Sequence, residues 1–138
     1  MKKNACLKLL RGLHGGVLVA ALFFGCYSAQ AETGQAAAVQ VMNHYLESLA
    51  NGDAQRLSGL IDGAMKKRSR QLSLDPAYYG EFLRSHYSGV NMSVGSVRDK
   101  GEVVEIDVQF DYPTSGSTAI IFVLSQVEGE WKVTDEIF

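Results

Sequence analysis

Two residues in this chain have the type and the setting for proton chemistry. Tyr45 lies in HYLESLANGD (44–53), on the apolar side of a helical pattern and eight residues before Asp53. His86 lies among Tyr79, Phe82, Leu83 and Tyr87. A phenol in an apolar setting can donate a hydrogen bond to a developing oxyanion, and a neutral imidazole can act as a base. The same residue types also form the polar edge of a core, with the ring buried and the polar atom bonded locally. Tyr45 and His86 are thus the candidate catalytic residues. Tyr45, Tyr79, Phe82 and His86 are the candidate ligand-binding set.

The sharpest charge feature is AMKKRSRQLSL (64–74), with Lys66, Lys67, Arg68 and Arg70. It is read either as a solvated turn that balances an acidic domain or as a contact for an anionic surface. Outside a cell such surfaces are lipid headgroups, acidic glycans or acidic proteins.

Other chemistries find no pattern. His44 and His86 stand at no metal-ligand spacing, and no carboxylate-rich calcium loop is present. The sequence has no G-x-S-x-G elbow and no phosphate-cradling glycine loop. No metal and no cofactor are expected.

The first thirty residues differ from the rest. Lys2, Lys3, Lys8 and Arg11 precede the apolar run VLVAALFF (17–24), and Ala29-Gln30-Ala31 follows. Charged, apolar and small segments in that order indicate a secretory signal peptide over 1–31. A membrane anchor that stays attached is the competing reading, although the run is shorter than the ~20 residues a spanning helix needs. Gly25-Cys26 offers another, a lipoprotein anchored at Cys26. Cleavage after Ala31 leaves nine basic residues against fifteen acidic ones, a formal −6. Such a domain is not a general nucleic-acid binder. Both cysteines, Cys6 and Cys26, leave with the leader, so the domain over 32–138 folds without a disulfide.

Periodicity supplies the positioning elements. After a polar lead at 32–35, Ala38, Val41, Met42, Tyr45, Leu46 and Leu49 line one helix face. Gly52 stops that helix, and Asp53 caps a short second one that ends before Gly63. Asp75-Pro76 starts a further helix, whose shared face is read as Tyr79, Phe82, Leu83, His86 and Tyr87. Beyond Gly89 the period becomes two. Strands are expected over 91–97, 103–112 and 118–127, with Trp131, Val133 and Ile137 on a last one. Val104, Ile106, Val108, Phe110 and Tyr112 share a face, with Asp107 and Asp111 opposite. The class is α+β, with N-terminal helices packed in a curved antiparallel sheet of about four strands.

VMNHYLESLANGD (41–53), the short second helix, the sheet and the ending GEWKVTDEIF together resemble the nuclear transport factor 2-like superfamily, which includes ketosteroid isomerase. The resemblance implies a cone, with a bent sheet wrapped around helices and a pocket at the open end. Local similarity to ketosteroid isomerase implies that Tyr45 donates to an enolate oxygen. Where that family carries its base, this chain reads KKRSRQ. Similarity to the dehydratase branch would give His86 a role as base. Sheet-face dimers are common in such families, so a homodimer is expected.

Two expectations follow. One is an exported, periplasmic or secreted, non-catalytic module with a small apolar pocket, which binds a small apolar ligand or a protein partner. The other is a small lyase or isomerase using His86 and Tyr45. Export is checked by intact mass. The exported chain should begin at Glu32. A lipidated chain beginning at Cys26, or retention of Met1 in membranes, would contradict cleavage after Ala31.

Overall fold

Alanine, the strongest helix former, is dense between residues 20 and 38. The helix that contains this stretch, α1 (Ala20–Asn51), accordingly starts earlier than the polar lead suggests. The computed structural model describes residues 20–70 and 74–138, with side-chain surroundings from Gly34 onward. Most of the expected leader therefore lies outside the described residues. The chain divides into two compact units, Met1–Gln30 and Ala31–Phe138, and the architecture below is that of the second. No helix among the described residues is long and apolar enough to cross a membrane.

Ala38, Met42, Tyr45, Leu46 and Leu49 form the buried stripe of α1. Buried Ser48 lies beside them and donates its hydroxyl to the His44 carbonyl at 2.7 Å. The helix ends on Gly52, whose φ of 64° is left-handed. Asp53 N–H donates to Ser48 O at 2.9 Å and Gly52 N–H to Leu49 O at 3.3 Å, so the last carbonyls are satisfied.

Among the described residues three short helices follow. Asp53 caps α2 (Ala54–Leu60) through Arg56 N–H at 2.9 Å. Asp62 caps α3 (Gly63–Arg68), and Asp75 caps α4 (Pro76–His86) through Tyr78 N–H at 3.0 Å. The second helix ends before Gly63 as expected, and Gly63 begins the next. Its φ is 57°, and a Cβ there would stand 3.1 Å from the Thr134 carbonyl oxygen.

The sheet is antiparallel in the order β1 (Asn91–Asp99), β2 (Val103–Tyr112), β3 (Gly116–Val127) and β4 (Glu130–Ile137). Its inner face carries Val104, Ile106, Val108, Phe110, Phe122, Leu124 and Val133, all nearly inaccessible to solvent. They pack with the α1 stripe, Leu57, Ile61, Met65 and Leu83 in one core. Burial of this apolar surface is the main stabilising term. On the outer face Arg98 holds Asp107 through two bonds of 2.7 and 2.6 Å and Glu105 through one of 3.1 Å. β3 was read as apolar on both faces. Its outer residues Ile121 and Val123 are half-buried.

Both edge strands bulge. β1 shifts register between Val94 and Val97, and β4 pairs Leu124 with Val133 but Val123 with Asp135. Thr134 is thus an extra residue in β4. Without it, Val133 and Ile137 would share a face. With it, Phe122 faces Glu136, and Ile137 pairs with Ile121 on the outer side. Ile137 is accordingly 47% exposed.

Glycine sets the approach of α4. A Cβ on Gly80 would lie 2.5 Å from the Gly52 carbonyl oxygen, a backbone atom that cannot swing aside. Gly59 in α2 has open space around it. Helix propensity alone favours alanine over glycine by about 1 kcal/mol at either position. Overlap at Gly80 should reverse that sign and cost roughly 1 to 3 kcal/mol. Thermal or urea unfolding should therefore show Gly59→Ala as neutral or stabilising and Gly80→Ala as destabilising. A stabilised Gly80→Ala would contradict the Gly52–Gly80 contact.

Candidate functional site

The inward side of α1 and the bulge in β4 bring a polar group of residues to one end of the core. Tyr45 is 5% exposed, and its ring tilts against Phe122 with centroids 5.4 Å apart. Phe122 is the cross-strand neighbour of Glu136, so the carboxylate joins the same inner face. Tyr79 on α4 and Tyr87 at its C-cap, both half-buried, complete the group. The Glu136 charge acts on all three phenols, and Arg68 acts on Tyr45.

Arg68 enters from the last turn of α3. It pairs with Asp135, and its Nη1 lies 3.6 Å from Glu136 Oε1. Consecutive strand residues alternate in face, and the bulge makes Glu136 rather than Asp135 the inward one, with both in reach of one guanidinium. Neighbouring bonds fix the junction. Asp62 N–H donates to Val133 O at 3.0 Å, and Ile61 forms a parallel bridge with Val133. The Thr134 hydroxyl donates to the Val123 carbonyl at 3.2 Å.

The phenols are held neutral. Burial raises the Tyr45 pKa far above the ordinary tyrosine value, and Tyr87 and Glu136 add to the rise. Burial, then Tyr112 and other neighbouring charges, push Tyr87 up to about 12. Tyr79 moves the same way, again chiefly through burial. Neutral phenols are donors rather than bases at physiological pH. No hydrogen bond of the Tyr45 hydroxyl is found among the described residues.

His86 and Phe82 stand elsewhere. Gly80 and Leu83 are buried on α4, with Tyr79 and Tyr87 beside them, whereas Phe82 and His86 are exposed. Their rings stack at 5.5 Å, and His86 meets the edges of Tyr87 and Tyr112 at 4.8 and 6.1 Å. The shared face read from spacing therefore splits into an inner and an outer half. The rings of Tyr87, Phe110 and Phe122 lead in turn from His86 to Tyr45, which do not touch. Among the described residues, sequence reasoning missed Glu136 and the pairing of Arg68. A phase break after Val133 was the one signal for the former.

An open groove of 390 Å³ lies away from the tyrosines, with Asp62, Lys66, Glu128, Glu130 and Lys132 on its walls. Its lysines pair with neighbouring carboxylates or with backbone. Lys132 Nζ donates to Gly59 O at 2.7 Å and stands 2.8 Å from Glu130, and Lys66 stands 3.9 Å from Asp62. Among the described residues no group of His, Cys, Asp or Glu side chains is arranged to hold a metal ion.

No family model and no curated protein matches the chain. Among solved structures, an NTF2-like protein of unknown function from Silicibacter pomeroyi is similar, with a TM-score of 0.53 and 13% identity over 76% of this chain and 93% of that one. An NTF2-like protein from Campylobacter jejuni is similar at a TM-score of 0.49 and 13% identity, over 66% of this chain and 91% of that one.

The raised phenol values make stability depend on alkaline pH. The unfolded chain loses these protons near pH 10, while the folded chain keeps them through about 12 at Tyr87. Between those values the unfolded state binds fewer protons, so stability falls as pH rises. Stability from these groups is complete below pH 10. Circular dichroism and phenolate absorbance followed together from pH 8 to 13 should show the buried tyrosines ionising only as the fold is lost. Ionisation of all tyrosines near pH 10 with the fold intact would contradict the burial.

Proposed function

Starting from a nuclear transport factor 2-like fold, we propose that this chain is an exported, non-catalytic interaction module that acts through its surface and rim. One observation carries the reading: the concave face of the sheet is filled by the protein itself. Met42, Phe110 and Phe122 occupy it at 2% exposure or less, and Tyr45 closes the polar end. A small apolar ligand would meet the rim, against Tyr79, Phe82 and His86. The leader order in residues 1–31 supports export to the periplasm or medium. Fold alone assigns no chemistry, because one scaffold hosts many functions.

A lyase or isomerase remains the second reading, and Glu136 is the observation that favours it. It brings a carboxylate to the inner face near Tyr45, in a place where His86 does not reach. Arg68 occupies that carboxylate, and no hydrogen bond joins it to a phenol among the described residues. A catalytic pair needs a base within hydrogen-bond reach of the proton it takes.

Tyr45 separates the two readings. Tyr45→Phe removes a hydroxyl without a described partner, so stability should change by no more than about 0.5 to 1 kcal/mol. Tyr45→Ala empties a packed site and should cost about 3 to 5 kcal/mol. Chemical denaturation measures both. If Tyr45→Phe keeps its stability but abolishes turnover of an enolisable ketone, or tight binding of a phenolate probe, Tyr45 is an oxyanion donor and the non-catalytic reading fails.

A further inference from the structure

We infer that Asn51-Gly52, at the end of α1, is a site of spontaneous deamidation and isoaspartate formation, and that the product unseats α4. The assignment is independent of the module reading above. An asparagine side-chain carbonyl carbon can be attacked by the backbone nitrogen of the next residue, which closes a five-membered ring. A side chain on that next residue crowds the attack, and glycine has none. The chain has four asparagines, Asn4, Asn43, Asn51 and Asn91, and of these Asn51 alone precedes glycine. Asn43, Asn51 and Asn91 are all exposed, so the residue that follows, rather than access to water, separates them.

The fold holds the reacting atoms loosely. Asn51 is the last residue of α1, and helix ends fray. Gly52 itself stands outside the helix at a φ of 64°. Its N–H donates to Leu49 O at 3.3 Å, beyond the usual N–H···O range, while the next donor, Asp53 N–H, holds Ser48 O at 2.9 Å. The reaction balances with water alone. Gly52 N gives its proton to solvent base and bonds to Asn51 Cγ, and the side-chain nitrogen leaves as ammonia. Water then adds to either carbonyl of the cyclic imide. Addition at Cγ leaves aspartate. Addition at the backbone carbon leaves isoaspartate, with the chain running through Cβ.

Both products act where α1 meets α4. The new carboxylate lies at a helix C-terminus, whose partial negative charge repels it. Isoaspartate also inserts a backbone carbon immediately before Gly52, which has no room to shift. A Cβ on Gly52 would stand 2.1 Å from the Gly80 carbonyl oxygen, and one on Gly80 would stand 2.5 Å from that of Gly52. The Arg84 side chain closes the same spot, with Cγ 2.6 Å from such a Gly52 Cβ. Displacement of Gly52 therefore pushes α4 from its seat, together with the buried Gly80 and Leu83 that it turns inward.

The test ages the exported, folded chain for several weeks at mildly alkaline pH, followed by peptide mass and by isoaspartyl methyltransferase labelling. Asn51 should convert, with the mass gain of an amide becoming an acid and with isoaspartate in excess of aspartate. Asn43 and Asn91 should convert far more slowly. The melting temperature should fall in proportion to the isoaspartate found. Asn51→Gln keeps the amide but would need a six-membered ring, so it should age without label and without that loss. Conversion in the urea-unfolded chain but not in the folded one would mean that the helix end protects the site, and the assignment would fall. Equal conversion at all three asparagines would remove the role of Gly52. Conversion that leaves the melting temperature unchanged would overturn the effect on α4.

Discussion

A single extra residue in the last strand sets the geometry at the polar end of the core. Thr134 interrupts the alternation of β4, and the chain after it changes face. Val123 keeps a partner through the Thr134 hydroxyl, so the carbonyl at the bulge is not left unpaired. The Thr134 carbonyl meets Gly63, where only a residue without a Cβ fits comfortably at positive φ. That contact seats α3, and α3 delivers Arg68 to Asp135 and Glu136. Bulges often re-aim side chains beside functional sites. Here the bulge turns a carboxylate towards three tyrosines and an isoleucine towards solvent.

Much of this was legible in the sequence. The strict alternation of 103–112 fixes the faces of β2, because each side chain there has a uniform period of two. Gly52-Asp53 and Asp75-Pro76 mark helix ends by the chemistry of their caps, which is local and survives folding. The burial of Tyr45 follows from its place in the α1 stripe. The face of Ile137 and Glu136 was not legible, since a bulge breaks the period on which the reading rests. α4 failed for a different reason. Tyr78, Phe82 and His86 make one plausible stripe, and Tyr79, Leu83 and Tyr87 another. Periodicity alone cannot choose between them. The close approach of Gly80 to Gly52 does, and that contact is tertiary.

The resulting molecule has a dry inner face and a chemically uneven exterior. Phenols held neutral by burial can donate but do not accept a proton at ordinary pH, and the carboxylate near them is engaged by Arg68. Meanwhile packing leaves an apolar row exposed on the outer side of α4 and lysines exposed at the end of α3. The same glycine contact that commits one face of α4 to the core leaves the other face to solvent. Core and surface are thus linked by one helix rotation, and the functional reading follows the surface.

The phase of β4 is the claim on which the polar site stands, and it can be observed directly. A NOESY spectrum of the labelled protein would report which side chains of β4 touch the inner rings. With the bulge at Thr134, the Glu136 side chain should show contacts to the Phe122 ring, and the Ile137 methyls should contact Ile121 and no inner ring. Contacts from the Ile137 methyls to Phe122 or Tyr45, with Glu136 lacking them, would mean that β4 alternates without interruption and that the carboxylate is not part of the site.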